Sequence, residues 1–365
     1  MIDGSRVRQA RELHRWTQGR LVEEVHDITQ PRLSKIESGQ VVLDSDTVAA
    51  ASLAAALGVT LEWLTRPPLQ ELNGLSPHFR ARARASQGTK AAGLAWAELV
   101  NEAHVRLADR AGDVPVTFRA LRGPLPVEAA ALTRQLFGFD AVSPLPYLIY
   151  ALEQVGVRVL ALPWRNDAVD AFCGWAGARP TVVLSADVPG DRRRWTTAHE
   201  LGHLLLHDAQ QQGKDIEAQA DAFAAELLTP LEALQEHMPS HPTLATLSML
   251  KTQWGVSVKS LIRRARELGR VDDERAVSLY RQISARGWNK SEPGFVALER
   301  PRALRRMVES ALPGESTSRL ATEMGWSLSL AEGVLAEHAR SDELPTREDS
   351  GGLHHRGNVV PLRRR

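Results

Sequence analysis

Cysteine is nearly absent from the chain. Cys173 is the single one in 365 residues, so no intrachain disulfide can form, and a reducing compartment suits the protein. Long apolar runs are missing, and so is an N-terminal signal pattern. The first absence excludes a membrane-spanning helix. The second makes a cytoplasmic protein the expectation, with partners inside the cell and no membrane. Net charge is close to nil: 45 Lys and Arg stand against 44 Asp and Glu, a formal +1 at pH 7. Bulk charge therefore argues neither for nor against nucleic acid, and local clusters must decide. No internal repeat or low-complexity tract stands out. What remains is 43% hydrophobic and 24% charged, ordinary for a soluble protein, on a chain long enough for two or three domains.

Thr197 to His203 reads H-E-x-x-H around His199, Glu200 and His203. Positions four apart share a helix face, so the two imidazoles can hold one metal ion. Glu200 then lies beside the open coordination position, where a carboxylate can take a proton from water. Asp191 can cap this helix, and Trp195, Leu201, Leu204 and Leu205 give it apolar faces. A zinc site needs a third protein ligand. Leu206 and Ala209 stand where a metzincin continuation puts Gly and His, so the ligand should come from a second helix. The stretch Ile216 to Pro230 is that helix, with Ala220, Phe223, Ala224, Leu227 and Leu228 as its apolar stripe. Glu217 is assigned as third ligand to one Zn²⁺ per chain. Asp221, one turn on, is the acceptor for a ligand histidine N–H.

Two blocks, R-x-R-W-T-x-A-H-E-L-G-H-L-L-L-H from Arg192 to His207 and E-x-Q-A-D-x-F-A-A-E-L-L-x-P from Glu217 to Pro230, resemble the ImmA/IrrE family of metallo-endopeptidases. The resemblance implies zinc on His199, His203 and Glu217, with Glu200 as base. It also implies a substrate class, DNA-binding repressors of phage, mobile-element or stress-response genes. Thr229 departs from the family, which more often has Met there; this is a packing position.

Ser5 to Leu64 breaks into five short helices. Ser5, Thr17, Thr29 and Ser45 are the expected starts of the first four, His26-Asp27 a tight turn, and Gly39 and Gly58 left-handed ends. The string from Thr17 to Gly39, T-Q-x-x-L-V-x-x-V-x-x-I-T-Q-x-x-L-S-K-I-E-S-G, resembles the Xre/Cro type of helix-turn-helix. The third helix would enter the major groove, presenting Gln30, Arg32, Ser34 and Lys35. Gln and Arg suit base edges, Ser and Lys phosphates. Gln18 would sit on the DNA backbone. The rival is a helical docking domain with no DNA contact.

Arg66-Pro67-Pro68 marks a boundary. Beyond it come Arg80, Arg82, Arg84 and Lys90 and an amphipathic run from Ala95 to Leu107; His78 to Arg80 resembles the linker of multi-domain family members. Helices are expected over Pro126–Phe137 and from Ser143-Pro144 to Gly156, strands over Val157–Leu162, Ala171–Trp175 and Thr181–Leu184. One strand should be an edge for a peptide substrate. Arg192, Arg193 and Arg194 fall in the first turn of the metal helix, where the dipole disfavours cations; pairing with Asp187, Asp191 or acids near Glu217 is expected. Cys173 reads as a small buried residue rather than a thiolate switch, and His207 as a helix-end packing residue. Thr243 to Gly269 forms a helix pair resembling the segment after the peptidase in longer family members, with Arg263, Arg264 and Arg266 exposed; a buttress is the favoured role. Asp272–Arg286, Arg302–Leu312 and Ser327–His338 complete the helices.

The expected fold is multi-domain and α-rich. An all-α helix-turn-helix domain (1–66) and a helical linker region (67–124) precede an α+β zincin-like metallopeptidase domain (125–238). A helical C-terminal region (239–340) and a disordered basic tail (341–365) follow. The expected function is a DNA-binding zinc endopeptidase that cleaves a repressor, with the repressor and a double-stranded operator as partners. A homodimer is compatible with half-site binding. The alternatives are a transcription factor whose peptidase-like domain senses a ligand or metal, and a protease of a toxin–antitoxin or phage-defence system.

Overall fold

The computed structural model describes residues 1–69, 72, 86–121, 123–164, 169–186, 188–208, 211 and 213–340. His78, Arg80, Arg82, Arg84, Asp187, Ala209 and the tail from residue 341 lie outside the described residues. The first five helices are α1 (Gly4–Leu13), α2 (Gln18–Glu24), α3 (Gln30–Glu37), α4 (Val48–Leu57) and α5 (Leu61–Thr65). Two caps differ from expectation. Asp3, not Ser5, caps α1 and takes the Ser5 N–H at 2.9 Å. Thr47, not Ser45, caps α4; Leu43 arrives extended, bridged to Ile2, so residues 45–46 are used in turning the chain. Thr17 caps α2 as expected, accepting from Arg20 N at 3.1 Å. Gly58 closes α4 at φ 66, a left-handed position that favours glycine.

The long α6 (Gln87–Ala111) connects this domain to a small sheet. α7 (Pro126–Leu136) and α8 (Leu148–Gln154) precede β1 (Arg158–Ala161), β2 (Ala171–Ala176) and β3 (Arg179–Leu184). α8 starts later than its sequence suggests. The Asp140 carboxylate takes the Ser143 N–H at 2.5 Å and Arg134 holds the Ser143 carbonyl, so Ser143 belongs to a turn. The sheet order is β1-β3-β2, with β1 parallel and β2 antiparallel to β3. Alternation along the strands separates two cores. Leu160, Phe172 and Val183 join the side built on α1–α6. Val159, Cys173, Val182 and Leu184 join the side that carries the metal helices.

Those helices are α9 (Gly190–Leu206) and α10 (Lys214–Leu228). Behind them follow α11 (Leu231–His237), α12 (Leu244–Trp254), α13 (Val258–Glu267) and α14 (Asp273–Ala285). Buried cations fix α9 and α10 from behind. Lys251 on α12 holds Asp191 Oδ2 at 2.5 Å and Glu292 at 3.0 Å. Asp191 is therefore not the cap expected; α9 begins earlier, after Pro189, and the carboxylate is turned into the fold. Arg264 on α13 is buried, not exposed, and binds Glu226 at 2.5 Å and the Thr229 carbonyl at 2.6 Å. The chain then returns to its N-terminal domain through α15 (Ala303–Ala311), α16 (Ser316–Met324) and α17 (Leu328–Ala336). The α16–α17 turn docks on the α4–α5 turn: Val59 bridges to Trp326, and Thr60 N donates to Gly325 O at 3.0 Å. No helix among the described residues is long and apolar enough to cross a membrane.

Candidate metal centre and nucleic-acid interface

His199 and His203 lie one turn apart on α9, buried, with their Nε2 atoms 3.0 Å from each other. Glu217, in the first turn of α10, brings Oε2 to 3.3 Å from His199 Nε2 and Oε1 to 3.4 Å from His203 Nε2. Donor atoms of the three lie within 4.8 Å of one another. A tetrahedral zinc with bonds near 2.0–2.1 Å would separate its ligand atoms by about 3.3 Å. The donor set fits such an ion. Glu200 is fully buried on the same helix, whereas the Glu217 side chain is 51% exposed, so the cluster opens to solvent on the α10 side. The approach of α10 depends on Gly202. A Cβ there would meet Phe223 Cδ1 at 3.1 Å and Ala220 Cα at 3.2 Å. The Gly inside the motif is a packing requirement that sequence reasoning passed over.

The far nitrogen of each histidine is also engaged. His199 Nδ1 is 2.8 Å from Asp221 Oδ1, the partner expected. A carboxylate accepts only, so Nδ1 carries the proton and Nε2 keeps its lone pair for a metal. His203 Nδ1 is 3.0 Å from His207 Nδ1, and His207 Nε2 is 3.3 Å from Gln219 Oε1. His207 is buried at the C-terminal end of α9, as a packing residue would be, but its ring also faces a ligand. The spacing His199, His203, His207 was the available signal. Cys173 is buried on β2 against Glu200. Burial, then the Glu200 charge, pushes its thiol up, so it stays a neutral donor.

Two of the three arginines at the start of α9, Arg192 and Arg194, are paired with distant acids. Arg192 meets Asp170 at 2.5 Å, and Arg194 meets Glu299 and the Leu145 carbonyl. Arg193 is buried and donates to the Ser185 carbonyl at 2.8 Å. These contacts tie α9 to the sheet and to the segment before α15, and offset the dipole cost of cations there.

In the N-terminal domain, α3 buries Leu33 and Ile36 and exposes Gln30, Arg32, Ser34 and Lys35. Thr29 begins the helix without a side-chain cap bond, and Pro31 follows in its first turn. Gln18 is half-buried. Its amide donates to Glu37 at 2.9 Å, and Arg11 grips the same carboxylate at 2.7 and 2.8 Å. Gln18 therefore helps lock α1, α2 and α3 together at the surface where it was expected to meet DNA.

Residues 152–266 match the family model of the IrrE N-terminal-like domain, and residues 7–64 match that of helix-turn-helix domains. A helix-turn-helix followed by an IrrE-like domain matches the ImmA/IrrE architecture. The IrrE-like match begins in α8, contains the sheet and both metal helices, and runs through α13. The helix-turn-helix match contains α2 and α3 whole. Together they support a DNA-binding, protease-like regulator, and the first match suggests a metallopeptidase. No curated protein matches it.

Proposed function

We propose that this ImmA/IrrE-type chain is a cytoplasmic zinc endopeptidase that binds an operator and cleaves a transcriptional repressor, derepressing phage, mobile-element or stress genes. The observation that carries the reading is the convergence of His199, His203 and Glu217 beside buried Glu200, on a chain that also exposes α3. One zinc ion per chain suits two imidazoles and a carboxylate at this spacing. When bound, it supplies Lewis acidity to the scissile carbonyl and to water. Glu200 takes the proton of the attacking water and passes it to the leaving amine. Asp221 holds His199 in the tautomer that leaves Nε2 free. The edge strand β2, whose Cys173 touches Glu200, offers the backbone against which a substrate lies extended.

Gln30 and Arg32 read base edges, while Ser34, Lys35 and Gln18 serve the phosphates. The division of labour we propose is DNA binding in residues 1–66 and hydrolysis in residues 125–238. The 67–124 and 239–340 regions support both. A homodimer on two half-sites fits this scheme. The test is co-expression with the repressor encoded beside the gene, followed by mass spectrometry. A repressor fragment should form with the wild type and be absent with Glu200→Gln. A second reading draws on the core shared by the helix-turn-helix and one face of the sheet: a transcription factor that senses metal through its peptidase fold. An intact repressor with both proteins, with zinc bound, would favour that reading.

A further inference from the structure

The two ligand histidines are supported differently. His199 rests on the carboxylate of Asp221, but His203 rests on a second imidazole. Donor counting fixes the arrangement. If Nε2 of His203 is to face a metal, its proton must be on Nδ1. The atom 3.0 Å away, His207 Nδ1, must then accept, which puts the His207 proton on Nε2. That nitrogen is 3.3 Å from Gln219 Oε1, an acceptor. Every donor thus meets an acceptor from Gln219 through His207 to His203, in one direction only. The reverse order would point the His203 proton at the metal position. His207 and His203 are both buried, with ring centroids 5.1 Å apart.

We infer that His207, itself held by Gln219, is a positioning residue that fixes His203 with Nε2 toward the ion. The inference rests on the metal-centre reading above. His207 does not touch the ion or the substrate; it acts through His203. Gln219 and Glu217 lie on the same turn of α10, so the helix that supplies the third ligand also orients the second. A neutral acceptor withdraws less proton density than a carboxylate, so the two imidazoles are unequal donors, and His203 is the weaker.

Zinc affinity of the purified full chain, by competition with a chromogenic chelator, tests this. Asn at 207 places an amide oxygen where His has Nδ1; Leu fills the space without an acceptor. His207→Leu should weaken zinc binding about 10- to 100-fold, the range for loss of such a partner, and His207→Asn should restore most of it. Gln219→Leu, on an exposed side chain, should fall between wild type and His207→Leu. Should His207→Leu fail to fold, judged by melting of the metal-free chain, Gln219→Leu and His207→Asn carry the comparison. Zinc binding by Gln219→Leu equal to wild type would then count against the relay. Wild-type affinity in His207→Leu would overturn the inference, as would equal losses in the Leu and Asn variants, which would mark His207 as packing alone. Failure of the wild type to bind zinc would overturn the metal centre itself.

Discussion

A carboxyl group buried without a full partner reports on the seam that joins α1 to α6. Glu98 is pushed up to about 7, first by burial and then by the neighbouring charge of Glu12. Its folded value lies above the ordinary 4.5, so its support of the fold is complete below about pH 4.5 and is lost as pH rises through about 7. Glu98→Gln cannot ionise. Between about pH 5 and about pH 8 it should lose less stability than the wild type, by on the order of 1 kcal/mol after solvent screening. Denaturant melts at the two pH values check this; parallel losses would contradict it. At the metal centre, the clustering of His199, His203 and Glu217 could be anticipated because His199 and His203, and Glu217 and Asp221, lie four apart on their own helices. The partners of Arg192 and Arg194, Asp170 and Glu299, could not, because no local pattern brings residues so far apart in sequence together.

Helices carry the candidate metal centre and the candidate DNA interface, and each can be perturbed at one position. Gly202 sets the distance from α9 to α10. Gly202→Val would press on Phe223 and the Ala220 backbone, contacts already at 3.1 and 3.2 Å for a bare Cβ. We expect a stability loss of about 1–3 kcal/mol and weaker zinc binding as Glu217 is displaced, measured by melting and chelator competition. On α3, Arg32→Ala should cost about 1–3 kcal/mol at one operator position and relax preference there. Lys35→Ala should weaken all DNA alike and reduce the salt dependence. Gel shifts on operator and scrambled duplexes separate the two, and unchanged binding in both variants would contradict the assignment. The caps of α1 and α4 were misplaced by two residues because several small polar residues cluster there and only the bridge between Ile2 and Leu43 decides among them. The burial of Arg264 was hidden for a similar reason. Arg263, Arg264 and Arg266 look alike in sequence, but only Arg264 turns toward Glu226 and Thr229.

Across the whole molecule, chain order and spatial order part company. The sequence divides into segments, yet α15–α17 pack with α1–α6 and with one face of the sheet in a single core. Gly93 on α6 illustrates the closeness, with Trp164 at 3.0 Å and Phe172 at 3.6 Å from an added Cβ. Local periodicity shows that a helix has an apolar face but not which distant face covers it. That is why the return of the C-terminal helices, and α16 itself, escaped the sequence reading. Trp326 is the anchor of this return, 4% exposed and bridged to Val59. Trp326→Ala should cost about 3–5 kcal/mol and lower operator affinity, although it lies away from α3. Full DNA binding with an unchanged melt would contradict a shared core.

Purified protein, repressor and operator DNA provide the most direct test of the central claim, with intact-mass spectrometry as readout. The account predicts one defined repressor fragment with the wild type, lost on chelation, regained with zinc, and reduced about 100-fold or more in Glu200→Gln. A fragment that persists in Glu200→Gln or under chelator would contradict hydrolysis by this metal centre.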